Sequence, residues 1–362
     1  MRLSKELAIS LPDVTATRST ADANRPNRVL VIGAHCAPDS MESHVMDSLH
    51  AMGVAARFET TSFAPASLPG VLRRPVTKLM SLTLREPERR REPAIVAAVR
   101  EYVPSLVLVI LGNGLSPKTV RAIRTISDAP ILCWCQDQMT TLGRQYLLGS
   151  GYDAVFVKDR YLQDLFSRMI KSSSFHYLPE ACNPRIHSPV ELTPDDRRRH
   201  GCDIMVAGTL YYYRQAILQQ LDEFDVHVWG SVPDWIVQRL RWPHSGREIV
   251  NREKAVAAQA ATIALNPLHY AEVDGINCRA FELAGCGAFQ LITHKAALEE
   301  LFETDKEVVS FSTVDELVEK ARHFVRNPDL AREIGARAAV RAHRDHTYEQ
   351  RLAQIFRVAG FT

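Results

Sequence analysis

Short runs of consecutive apolar residues recur along the chain, each closed by a glycine or a polar turn. Each is followed by a stretch in which apolar positions return every three or four residues. Runs of the first kind suit strands buried on both faces of a parallel sheet, and the spaced stretches suit the helices that cover it. The first unit is RVLVIGAH, residues 28–35, followed by a helical pattern over 41–52. Further strands are predicted at 54–58, 106–111, 131–134, 154–157 and 175–178, with a helix over 116–126 opened by Ser116 and Pro117.

Residues 181–201, proline-rich and charged, show no clear period and read as a link between domains. The same grammar then restarts. Strands are predicted at 203–207, 226–229, 262–265, 288–292 and 307–311, and three closing helices at 314–325, 329–343 and 348–358. The expected architecture is α/β, two Rossmann-like doubly wound domains facing a cleft. Residues 1–26 form a polar leader, 27–180 the first domain, 202–345 the second, and 346–362 a terminal helix. Ligands of such folds sit beyond the carboxyl ends of the strands, so the loops there are where chemistry is expected.

A chain of 362 residues suits two such domains. The net charge of +2 lacks the basic excess of a nucleic-acid binder, so no nucleic-acid partner is expected. The absence of a long apolar run and the scatter of seven cysteines point to the cytoplasm. Cys133 and Cys135 have no matching second pair for zinc. One segment departs from the pattern: residues 68–93 carry seven basic against three acidic residues. It reads as a solvated excursion or a contact with a membrane surface.

The stretch DGINCRAFELAGCGAFQ, Asp274 to Gln290, carries the densest candidate chemistry. Gly275 is expected to open a helix whose first amides are free, with Asn277 in that turn, Arg279 beside it, and Glu282 one turn deeper. Free amides and a cation near a carboxylate suit a ligand with phosphates at one end and vicinal hydroxyls at the other, the layout of a nucleotide sugar. The glycine turn at Gly208 and Thr209, with Arg214 in the following helix, is a second place for a diphosphate.

The segment from Asp274 to Thr293, together with ILCWCQDQ and HTYEQR, resembles the CgeB/YkvP-like spore-protein glycosyltransferase family. That resemblance implies the GT-B architecture, with the C-terminal helix crossing back to the N-terminal domain. It implies transfer of a sugar from a nucleotide-diphosphate donor to an acceptor hydroxyl, with no cofactor and no required metal. It also implies that Glu282 holds the donor ribose and that Asp274 stands where relatives carry a glutamate near the sugar, a departure from their pattern. Gly230, after the strand ending at Trp229, is expected at the nucleobase. In the first domain, Asp137, His35 and His44 are the candidates for the catalytic base, since each lies just past a strand and can accept a hydroxyl proton.

No D-x-D, H-E-x-x-H or P-loop pattern is present. The acceptor is open among glycan, protein, lipid and small molecule. Two rival readings stand: a nucleotide-sugar epimerase or hydrolase of the same fold, and a non-catalytic regulatory module that binds a nucleotide sugar.

Overall fold

The computed structural model describes residues 25–62, 87–110, 114–139, 142–143, 145–233, 236 and 241–361. The polar leader to residue 24, most of the basic segment 68–93, and Gly112 with Asn113 lie outside the described residues.

The N-terminal sheet has six parallel strands in the order β2-β1-β3-β4-β5-β6. They are β1 (Arg28–Gly33), β2 (Ala55–Thr60), β3 (Leu106–Ile110), β4 (Ile131–Cys135), β5 (Ala154–Val157) and β6 (Ser174–Tyr177). Because successive side chains alternate, Val29 and Val31 pack to one face against helix α1 (Met41–Ala51). Leu30 and Ile32 pack to the other, in a core shared with α2 (Glu92–Tyr102), α3 (Pro117–Arg124) and α4 (Arg160–Met169). Ser116 caps α3 through its side chain, as its position ahead of Pro117 predicts.

The link is more structured than its composition suggests. Residues 194–200 form helix α5 (Pro194–His200), opened by a capping box between Thr193 and Asp196. Charge without apolar period gave no sign of it, because this helix buries none of its residues.

The C-terminal sheet is five-stranded and parallel, β11-β10-β9-β7-β8. Its strands are β7 (Ile204–Ala207), β8 (Val226–Trp229), β9 (Ile263–Asn266), β10 (Gln290–Thr293) and β11 (Val309–Phe311). The helices that matter below are α6 (Tyr212–Leu218), α7 (Asn251–Ala260), α8 (Cys278–Gly285), α9 (Ala296–Leu301), α10 (Val314–Arg326) and α11 (Pro328–Asp345). The strand order reverses between β7 and β9, which puts the crevice at the loops leaving those two strands.

The last helix, α12 (Tyr348–Val358), leaves the second domain and packs on the first. Tyr348, Leu352, Ile355 and Phe356 join the core of α1 and the first sheet. No helix among the described residues is long and apolar enough to cross a membrane.

Candidate functional site

Two arginines meet at the β7–β9 crevice. Gly208 follows β7 with φ of 105°, a backbone that favours glycine, and a side chain there would collide with the Arg279 guanidinium. Arg214, on α6, comes at the same glycine from the other side: its Nη1 lies 3.3 Å from where that Cβ would stand. Arg214 Nη1 donates to the Thr209 carbonyl at 2.7 Å and Nη2 to the Pro267 carbonyl at 3.3 Å, while its buried Nε has no partner. Arg279 reaches only the Asn266 side-chain oxygen, at 3.5 Å. Among the described residues no carboxylate pairs with either cation. Burial and the neighbouring Arg279 push the Arg214 guanidinium down to about 10. Two guanidiniums brought together without an acid form a site that an anion would complete.

The loops that carry the two arginines fix them in different ways. A side chain at Gly230 would strike the Gly208 backbone, and the Gly230 N–H donates to the Arg247 carbonyl at 2.8 Å. Asn277 caps α8 by accepting the Ala280 N–H at 3.1 Å, and its amide pairs with Asn266 at 3.0 and 3.1 Å. Thr209 is exposed at the rim.

Other predicted residues have different surroundings. The helix after β9 opens at Cys278, three residues later than expected, and the Gly275 amide is not free. The N–H groups of Asp274 and Gly275 donate to Asp159 Oδ2, at 2.8 and 3.1 Å, so a carboxylate of the first domain already fills that nest. Asp274 turns its own carboxylate to the Ala297 N–H at 3.2 Å, at the start of α9.

Glu282 lies on a helix buried nearly all round and answers a buried lysine. Its Oε2 is 2.7 Å from Lys254 Nζ, which is 2.5 Å from Asp39 Oδ2 on the loop after β1. Against the cost of burial, Lys254 holds the Glu282 carboxyl below its ordinary value. Lys254 meets the charge of Glu282 at Oε2, so in the ribose role that the resemblance implies the donor hydroxyls would share this carboxylate with the lysine.

Asp39 is the hub of this bridge. Its Oδ1 accepts from His44 Nε2 at 3.1 Å and His187 Nε2 at 3.0 Å. His44 is buried and stacked on Tyr348, so it is no accessible base. Asp39, His44 and His187 have the residue types of a metal centre. The proton positions argue otherwise. His187 Nδ1 accepts the Asn183 backbone N–H at 3.0 Å, which leaves Nε2 protonated and turned to the carboxylate, while Lys254 occupies the other oxygen.

Of the remaining base candidates, His35 is exposed on the loop after β1. Asp137 follows β4, open to solvent on one side and crowded by protein on the other; lost hydration raises its carboxyl against the pull of Lys158. Behind it lies a second bridge that sequence reasoning missed. Lys158 Nζ is 2.9 Å from Glu272 Oε1 and 3.6 Å from Glu180 Oε2, and Gln138 donates to Glu272 at 3.3 Å. Burial pushes Glu180 up to about 7, with Lys158 opposing and Glu272 and Asp137 adding to it. Lys254 could have been found from sequence as the lone cation on the alanine face of NREKAVAAQAA; Glu180 and Lys158, in turns with no period, left no such trace.

The prominent cavities lie elsewhere. Spaces of about 430 and 620 Å³ open at the amino ends of β9 and β10 and of β5 and β6. Those are the ends of the sheets opposite the Arg214–Arg279 crevice, so volume does not mark the chemistry here.

Two facing doubly wound domains, with an anion-ready crevice at the switch point of the second and a helix returning to the first, define a GT-B fold. Comparison with known proteins agrees. Residues 214–357 match the family described as glycosyl transferase-like. Sucrose-phosphate synthase from Thermosynechococcus elongatus superposes with a TM-score of 0.65 at 13% identity, covering 91% of this chain and 97% of that one. HepE of Anabaena, solved in complex with UDP-glucose, superposes at 0.62 and 12% identity, over 91% and 99%. A DNA-modifying β-glucosyltransferase does so at 0.58 and 10% identity, over 92% and 99%. Among curated proteins none matches in sequence. The chain thus has the GT-B glycosyltransferase fold, with a glycosyl transferase-like region in its second half.

Proposed function

We propose that this protein transfers a sugar from a nucleoside-diphosphate donor, held by the C-terminal domain, to an acceptor hydroxyl presented at the N-terminal domain. The observation that carries the reading is the meeting of Arg214 and Arg279 at Gly208 with no acid between them. Charge grows on the diphosphate as the glycosidic bond breaks, and two preplaced guanidiniums stabilise it without reorganising. They supply the charge that a divalent ion supplies in other transferases, so no metal is required. Asp137, raised and exposed at the facing rim, is the candidate base for the acceptor hydroxyl. Gly230, against the Gly208 backbone, is the candidate for the nucleoside side of the donor. The UDP-glucose bound by HepE supports a UDP-sugar as the first donor to try. The segment from Asp274 to Thr293 supports placement with the CgeB/YkvP-like group.

The test is release of nucleoside diphosphate from a panel of UDP-, GDP- and TDP-hexoses with mixed acceptor sugars, with and without EDTA. Release from one donor, undiminished by EDTA and lowered roughly 10²-fold or more in Asp137→Asn at unchanged donor affinity, is the expected result. No release from any donor would overturn the reading.

A further inference from the structure

Next to the arginine crevice, aromatic side chains gather on the loops after β7 and β9. Tyr211 lies over the Arg214 guanidinium at 4.9 Å and against His269 at 4.9 Å. His269 in turn packs on Tyr270 at 4.2 Å, and Tyr270 meets Tyr213 edge-on at 5.7 Å. The row therefore starts at the proposed diphosphate site and runs outward. Its outer members are open to solvent: Tyr270 is 70% exposed, Tyr212 55% and Tyr213 38%. At its inner end the buried Tyr211 hydroxyl has no hydrogen-bond partner.

Trp229, whose carbonyl accepts the Gly208 N–H at 2.8 Å, is only 6% exposed and is enclosed by His227, His200 and Arg247. The diphosphate site thus has one closed neighbour and one open neighbour. A second substrate, which must enter and leave after the donor has bound, needs the open one. Resting on the donor reading above, we infer that the Tyr211–Tyr213, His269 and Tyr270 row is a platform on the C-terminal domain for the outer residues of a saccharide acceptor whose reacting hydroxyl is presented at the N-terminal domain.

The chemistry favours a sugar. A pyranose presents a flat face of C–H bonds with partial positive charge, which suits the negative face of an aromatic ring, and its edge hydroxyls meet the phenol groups. An exposed aromatic cluster beside a ligand crevice is a candidate contact surface. A bilayer is the less favoured one. Anionic lipid is held by lysines and arginines, and the row carries none in its outer part; nearby Lys295 is committed to the Glu272 and Val273 carbonyls at 2.5 and 3.4 Å.

The test is calorimetric titration of the full chain, saturated with UDP, with maltotetraose, cellotetraose and N-acetylchitotetraose, repeated on Tyr270→Ala and Tyr213→Ala. The expected result is binding of at least one tetrasaccharide, weakened tenfold or more in each variant while UDP affinity stays the same. UDP binding also reports that the variants are folded. The platform is overturned if none of the three binds or if the variants bind them equally well. It is also overturned if the wild type, but not the variants, sediments with phosphatidylcholine–phosphatidylglycerol vesicles, which would make the row a membrane contact. If the wild type fails to bind UDP, the donor reading fails by itself, and the tetrasaccharide arm then decides the platform.

Discussion

Gly208 shows most directly how one residue can hold a site together. Its positive φ and missing side chain let the Arg279 guanidinium rest where a Cβ would be. Gly208→Ala is expected to displace Arg279 and weaken nucleoside-diphosphate binding at least tenfold, with a cost in stability of about 1–3 kcal/mol from backbone strain. Titration calorimetry and urea unfolding would separate the two effects. Glu282 makes the opposite case. It stood out in the sequence as a charge on an apolar helix, and that alone does not distinguish a ligand from a buried partner. Its position three residues after Arg279 suggested a shared ligand; the structure sends Arg279 to Gly208 and Glu282 to Lys254. Glu282→Gln is therefore expected to lower stability by roughly 3 kcal/mol, since it leaves buried Lys254 with one acid fewer. Donor affinity is expected to stay within twofold. A large loss of affinity at unchanged stability would assign Glu282 the ribose role.

At the scale of elements, the strands were legible because burial on both faces leaves an unbroken apolar run, and each run predicted in the second half meets a strand of the sheet. Helix starts were less legible. Gly275 looked like the opening of α8, but Asn277 caps it, and the amides ahead of it go to Asp159, a residue more than a hundred positions away. A contact of that range leaves no local signal. The terminal helix was legible on both counts: a Thr347 cap and apolar positions at helical spacing. Its load is structural. Leu352 is fully buried between the helix and the first sheet, so Leu352→Ala is expected to cost about 2–5 kcal/mol by urea unfolding. Thr347→Ala, which removes only the cap, is expected to cost about 1 kcal/mol.

Across the whole molecule, two buried ionic bridges join the domains, Asp39–Lys254–Glu282 and Glu180–Lys158–Glu272. Neither was legible as a bridge, because each joins residues of both domains that are far apart in sequence: Lys254 and Glu282, on α7 and α8, meet Asp39, and Lys158 and Glu180 meet Glu272. The second bridge gives a pH signature. Glu180 is raised to about 7, above the roughly 4.3 of an unfolded glutamate, so its contribution to stability is complete below pH ~4 and is lost as pH rises through 7. Glu180→Gln is expected to remove that loss, making the wild type weaker relative to the variant by roughly 3 kcal/mol at pH 8 than at pH 4. Parallel denaturation curves for the two proteins would contradict this.

The donor reading depends on the Arg214–Arg279 pair, and titration of the full chain with UDP, GDP and TDP beside Arg279→Ala and Arg214→Met addresses it most directly. Micromolar binding of one nucleotide, weakened tenfold or more in each variant, is the predicted result, as expected when one charge-assisted hydrogen bond worth about 1.5–3 kcal/mol is lost. No binding, or binding that both variants retain in full, would mean that the crevice does not hold the diphosphate.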